Sequence, residues 1–194
     1  MYPGKKRIGL LGGSFNPAHQ GHRHISLMAL SRLRLDYVWW LVSPQNPLKE
    51  EKDMAPFARR MVYARKLARH PQLRVSALEQ SLGTRHTADT LAALVRRFPS
   101  AEFVWLMGAD NLEQIDQWRD WENIFATVPI AVFGRPSYSL RALSSKAARR
   151  YRRYRMHPRQ ARLLPGHARP AWIFFEDRPH PGSATRLRAK KKKL

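Results

Sequence analysis

The chain has 194 residues with no internal repeat, a length that suits one domain around a single buried core. It has no cysteine, which excludes disulfides, thiolate metal sites and a cysteine nucleophile, and neither a bilayer-length apolar run nor a signal-peptide core, so a cytoplasmic protein with no membrane contact is expected. Lys and Arg number 36 against 14 Asp and Glu, a formal charge of +22, and a field this positive draws polyanions, nucleotides and nucleic acids alike.

Short apolar runs alternate with amphipathic segments along the chain. Arg7–Leu11 predicts a first strand, followed by a helix over Gly21–Arg34. Tyr37–Val42 predicts a second strand. Ser43–Pro56, with three prolines and Asn46, reads as a loop, and Pro56–Arg69 as a helix. A strand is expected at Leu73–Ala77, a helix at Thr87–Phe98 and a strand at Glu102–Met107. Short helices follow at Asn111–Ile115 and Trp121–Ala126, then a strand at Val128–Phe133 and a helix at Leu140–Arg153. Arg155–Pro170, with three prolines and a glycine, reads as a surface connection ahead of a last strand at Ala171–Phe175. This alternation predicts the α/β class: a doubly wound, mostly parallel sheet covered on both faces. Ligands of such sheets bind beyond the carboxyl ends of the strands, near the switch in strand order.

Charge is uneven. No acid occurs between Asn123 and Phe175, a window that holds Arg135, Arg141, Lys146, Arg149, Arg150, Arg152, Arg153, Arg155, Arg159, Arg162 and Arg169. The polar face of Leu140–Arg153 is almost wholly basic and would repel itself without neighbouring acids or an anionic partner. Residues 1–188 read as the domain and 189–194 as a disordered basic tail. These basic segments keep a nucleic-acid-binding protein as the reading from another class.

The most informative stretch is Gly12-Gly13-Ser14-Phe15-Asn16-Pro17-Ala18-His19-Gln20-Gly21-His22. It leaves the first strand and enters the first helix. The glycine pair permits positive φ and close backbone approach. His19 and His22 can share one face of the first helical turn, with no side chain on Gly21 between them. The spacing is neither a Walker A loop nor a dinucleotide G-x-G-x-x-G fingerprint. Three readings compete for the histidines. One is a metal site with His24, which lacks further ligands of suitable geometry. The second is a cap on the helix start. The third is phosphate binding at a helix N-terminus.

G-G-S-F-N-P-x-H-x-G-H resembles the signature of the H-x-G-H nucleotidyltransferase superfamily. Within it, the chain is similar to the bacterial nicotinate mononucleotide adenylyltransferase family from Ile8 to Arg188. The resemblance implies a Rossmann-like fold, and AMP transfer from ATP to nicotinate mononucleotide with release of pyrophosphate, a step of NAD biosynthesis. Nicotinamide mononucleotide, or another phosphate acceptor of the superfamily, is the alternative acceptor. Mg²⁺ is implied as the ion carried on the ATP phosphates, with no metal site on the protein itself.

The remaining motifs assign roles by the same resemblance. His19 and His22 would bind the α-phosphate. Ser183, Thr185 and Arg188, in Gly182-Ser183-Ala184-Thr185-Arg186-Leu187-Arg188, would hold the leaving pyrophosphate; read alone, they are a serine cap and a solvated arginine. Gly12, Gly13, Ser14, Phe15, Gly21, Gly108 and Asp110 would complete the ATP site. Asn16, Lys49, Thr87, Trp118 and Arg135 would bind the mononucleotide. Trp118 would stack on the nicotinate ring and Thr87 would sit beside its carboxylate, while Trp121 and Ile124 read as core. The match departs from the family at His86, where tyrosine is usual, and at Leu48, where histidine is common.

Overall fold

The computed structural model describes residues 5–44, 54–134 and 139–176. Its centre is strand β1 (Lys6–Gly13), which pairs in parallel with β2 (Tyr37–Val42) on one side and with β4 (Ala101–Gly108) on the other. β3 (Leu73–Ser76) extends the sheet beyond β2. β5 (Ile130–Phe133), β7 (Trp172–Phe175) and β6 (Arg155–Met156) extend it beyond β4, so the seven strands run in the order β3-β2-β1-β4-β5-β7-β6. Every pairing is parallel. The strand order turns back between β1 and β4, and a crevice opens there at the carboxyl ends.

Side chains alternate across each strand and divide the core in two. Ile8, Leu10, Phe103, Trp105, Met107, Ile130, Val132, Trp172 and Phe174 face one layer. That layer comprises α4 (Thr87–Arg97), α5 (Ala109–Gln114), α6 (Trp121–Thr127), α7 (Ser139–Leu143) and α8 (Lys146–Arg150). Leu11, Val38, Trp40, Val42, Val104, Leu106, Phe133, Ile173 and Phe175 face the other, which holds α1 (Gln20–Leu33) and α2 (Phe57–Leu67). Each large side chain buried this way contributes about 1.5–3 kcal/mol, so the two-sided core dominates stability.

The local chemistry explains where the expected elements changed. The long basic helix expected over Leu140–Arg153 is broken into α7, α8 and a 3₁₀ turn at Arg152–Tyr154. Ser145 causes the restart: its hydroxyl accepts the Ala148 amide at 3.2 Å and caps α8. The break also relieves the arginine run, since Arg150 pairs with Glu122 at 3.0 Å. Tyr151 stacks on Phe125 with 4.0 Å between centroids, which fixes the layer.

Arg155–Pro170 is not a mere surface connection. It supplies the edge strand β6 and a 3₁₀ helix at Pro158–Leu163, and Ala161 and Leu164 are buried against the α1 layer. α3 (Leu78–Ser81), a single turn just past β3, likewise had no counterpart in the sequence reading. Residues 189–194, expected to form a tail, lie outside the described residues.

Candidate active site

A cleft of about 480 Å³ lies across the carboxyl ends of the central strands. Gly12, Gly13 and Ser14 line it from the end of β1, Ser43 from the end of β2, and Glu79 from α3. Arg85, His86 and Thr87 line it from the entry to α4. Asp110, Asn111 and Gln114 come from α5, with Gln117, Trp118 and Arg119 beyond it.

The turn is not built as the glycine pair suggested. Gly12 and Gly13 remain in the β1 ladder, in register with Leu41 and Val42. A Cβ at position 12 would overlap Cη2 of the Trp105 indole, so Gly12 is required by a core side chain below it. At position 13 a Cβ would meet only the Phe15 ring, at 3.7 Å, an ordinary contact. The residue with positive φ is Phe15, at 46°, a strained conformation for a bulky side chain. Packing holds it there: Phe15 is buried and stacks on Trp40 at 5.0 Å, with His22 at 4.7 Å.

The histidines start α1. The Nδ1 of His19 accepts the Gly21 amide at 3.1 Å, and the Nδ1 of His22 accepts the His19 amide at 3.1 Å. This is a reciprocal capping box made from imidazoles. An Nδ1 that accepts a hydrogen bond carries no proton, so each ring presents N–H at Nε2. The capping and phosphate readings are therefore compatible: one nitrogen fixes the ring and the other is a donor. The rings stack, 3.8 Å between centroids. Among the described residues, no group of three or more His, Cys, Asp or Glu gathers to hold a metal ion.

Of the other expected residues, Thr87, Asp110 and Trp118 line the cleft. Thr87 opens α4, and no side chain caps that N-terminus, so backbone amides of its first turn face an uncapped end beside Arg85. Gly108 ends β4 and precedes α5. Gly21 is buried in the first turn of α1. Asn16 is engaged elsewhere, its amide oxygen accepting the Ala55 N–H at 3.2 Å. Lys49, Arg135, Ser183, Thr185 and Arg188 lie outside the described residues.

The sequence reading missed Ser43 and Glu79. Ser43 directly follows the end of β2 and Glu79 lies three residues past the end of β3, in the region that the parallel-sheet rule marks for ligands. Burial pushes the Glu79 carboxyl up to about 7, against a smaller opposing effect of its hydrogen bond with the Ser43 side chain.

Comparison with known proteins identifies the family. The cytidylyltransferase-like family matches residues 10–190, which takes in the opening turn and the Ser183–Arg188 segment. A probable nicotinate-nucleotide adenylyltransferase of Parvibaculum lavamentivorans is 53% identical over 188 residues, covering 97% of this chain and 93% of that one. The chain belongs to the nicotinate-nucleotide adenylyltransferase family. A further family member, from Methylorubrum extorquens, is 48% identical over 95% of this chain and all of its own length. The family fold is also found at low identity. A Plasmodium falciparum nicotinic acid mononucleotide adenylyltransferase, solved with NaAD, superposes with a TM-score of 0.71 at 15% identity, over 95% of this chain and 83% of that one. A putative Vibrio parahaemolyticus nicotinate-nucleotide adenylyltransferase reaches 0.53 at 22% identity, over 66% and 76% of the two chains.

Proposed function

We propose that this protein transfers AMP from ATP to nicotinate mononucleotide, producing nicotinic acid adenine dinucleotide and pyrophosphate. The observation that carries the reading is the imidazole capping box of His19 and His22, in which each Nδ1 accepts an amide and each Nε2 is the donor nitrogen. It stands at the start of α1, on the turn that continues from the Gly12–Ser14 edge of the cleft; neither ring is among the residues that line the cleft itself. The names of the 48–53% identical relatives support the same activity.

The reaction follows from the charges involved. The acceptor's 5′-phosphate is already an anion and attacks the α-phosphorus of ATP, substrate being the magnesium complex. A P–O bond to the acceptor forms as the bond from the α-phosphorus to the bridging oxygen breaks, and pyrophosphate leaves with the electron pair. No general base is needed, so catalysis rests on placement and charge stabilisation. His19 and His22 donate to the α-phosphate as its charge builds. Ser183, Thr185 and Arg188 hold the leaving pyrophosphate, Arg188 through its planar fork.

The acceptor's base is read by the other end of the cleft. Trp118 stacks on the pyridine ring. The uncapped N-terminus of α4 at Thr87, with Arg85 beside it, suits a carboxylate better than a neutral amide, which favours nicotinate over nicotinamide. Asp110 accepts from ribose hydroxyls, and Gly12, Gly13, Ser14, Phe15, Gly21 and Gly108 shape the ATP side. Lys49 and Arg135 contact the acceptor's anionic groups, and Asn16 acts by fastening the turn to Ala55.

The test is pyrophosphate release from purified protein with ATP, Mg²⁺ and each mononucleotide in turn. Rapid release with nicotinate mononucleotide and much slower release with the nicotinamide form are expected. Release with another acceptor alone would overturn the assignment.

A further inference from the structure

Arg60 sits in the first turn of α2, next to an arginine of ordinary behaviour. Arg59 is exposed, with its guanidinium 5.7 Å from the Tyr63 ring. Arg60 is 2% exposed and faces the interior. Its partners are unusual for a buried cation: four hydrogen bonds from its guanidinium end on main-chain carbonyls. Nη1 donates to Ser14 O at 2.7 Å and to Ser43 O at 2.7 Å. Nη2 donates to Pro44 O at 2.6 Å, and Nε to Ala55 O at 3.0 Å. The ring of Phe57, 5.3 Å away, covers the guanidinium.

Those four carbonyls belong to three separate segments: the turn after β1, the end of β2, and the entry to α2. Two further bonds lock the same junction, Ser43 N–H to Gly13 O at 3.0 Å and Ala55 N–H to the Asn16 side chain at 3.2 Å. Two of the segments supply cleft residues, Ser14 and Ser43. A carbonyl oxygen is the wrong group to leave beside a triphosphate. The guanidinium draws the Ser14 and Ser43 oxygens to itself and offsets their dipoles with a full positive charge. Burying a cation is unfavourable, and four charge-assisted hydrogen bonds compensate for it.

We propose that Arg60 is a positioning residue for the transfer reaction: by clamping Ser14, Ser43 and Pro44 to α2, it sets the phosphate turn and its two histidines against the end of β2. It acts through the main chain and touches neither substrate. The proposal rests on the adenylyl-transfer reading for its kinetic test, but its structural part does not.

A lysine at 60 keeps the charge and loses the fork, since one ammonium cannot reach four carbonyls in this geometry. In Arg60→Lys, kcat falls about 10- to 100-fold, the size expected for an ångström-scale misplacement, while KM for each substrate moves less than about threefold. Arg60→Ala leaves a guanidinium-sized space, and millimolar guanidinium restores part of its kcat but none of the activity lost in His22→Ala. Hydrogen exchange, read by mass spectrometry on the ligand-free proteins, shows peptides covering 12–19 and 40–44 losing protection together in Arg60→Lys, with α4 unchanged. If wild-type protein transfers to no mononucleotide, the functional reading fails and the exchange result still decides the role of Arg60. Unchanged kcat together with unchanged exchange in Arg60→Lys would overturn the proposal. So would an activity loss that only tracks the fraction of molecules unfolded. If Arg60→Ala does not fold, the lysine variant carries both readouts.

Discussion

The Nδ1 of His22 accepts the main-chain amide of His19, and the two imidazoles stack 3.8 Å apart. Each ring is thus held through its Nδ1 by the main chain of the first turn of α1. Preorganised donors of this kind carry most of the effect in electrostatic catalysis. His22→Ala is expected to lower turnover by about 10². It also removes half of the capping box, at about 1 kcal/mol of stability. Steady-state rates measured beside a thermal melt separate the two effects: near-normal turnover in a folded variant would take His22 out of the mechanism.

Trp118 is half-buried, packs against the core and lines the cleft. Trp118→Ala should raise KM for the mononucleotide about tenfold or more, the scale of one aromatic stack with its buried area, and leave KM for ATP nearly unchanged. Equal effects on both constants would make Trp118 a scaffold residue.

Glu79 gives a pH prediction with a definite sign. Its carboxyl titrates near 7 in the folded protein against an ordinary 4.5. The folded state therefore holds a proton that the unfolded chain releases, and stability falls as pH rises between these values. The loss is about 3 kcal/mol at most. Arg85, His86, Asp110 and Arg119 share the cleft with it. Glu79→Gln cannot ionise. In urea titrations it should match the wild type near pH 5 and exceed it at pH 8. Parallel stability curves across that range would show that Glu79 is not the responsible group.

Behind the histidines, the Ser26 hydroxyl donates to His22 O and accepts Trp40 Nε1–H, both at 2.8 Å. Ser26→Ala strands a buried indole N–H, so a loss of about 1–3 kcal/mol is expected by chemical denaturation. Trp40→Phe removes the donor as well. In the double variant the Ser26→Ala penalty should shrink, and an undiminished penalty would mean that Ser26 acts through another contact.

How much of this could be read in the sequence depended on range. β2 was legible to the residue at Tyr37–Val42, because a strand buried on both faces reads as an unbroken apolar run. The opening turn was legible because its residue types are locally special. α3 left no trace, since four residues carry no helical period. Ser144-Ser145 carried a cap signal that the surrounding basic run obscured. Arg60 was out of reach for a different reason. A charged side chain on a short helix normally reads as solvated, and only distant carbonyls at 14, 43, 44 and 55 make position 60 an interior one.

Gly12 shows how a motif position can answer to two masters. Its missing side chain is demanded by Trp105, one strand away on β4, whose ring occupies the volume that a Cβ would take. The wall of the cleft is thus continuous with the aromatic packing of the sheet. Trp105 itself lines the cleft, so ligand approach and indole packing act on the same peptide. A small residue at 105 would free position 12 from its steric constraint while leaving any demand from the nucleotide in place. Alanine at 12 in a Trp105→Ala background would therefore tell apart the two pressures that a sequence motif records as one letter.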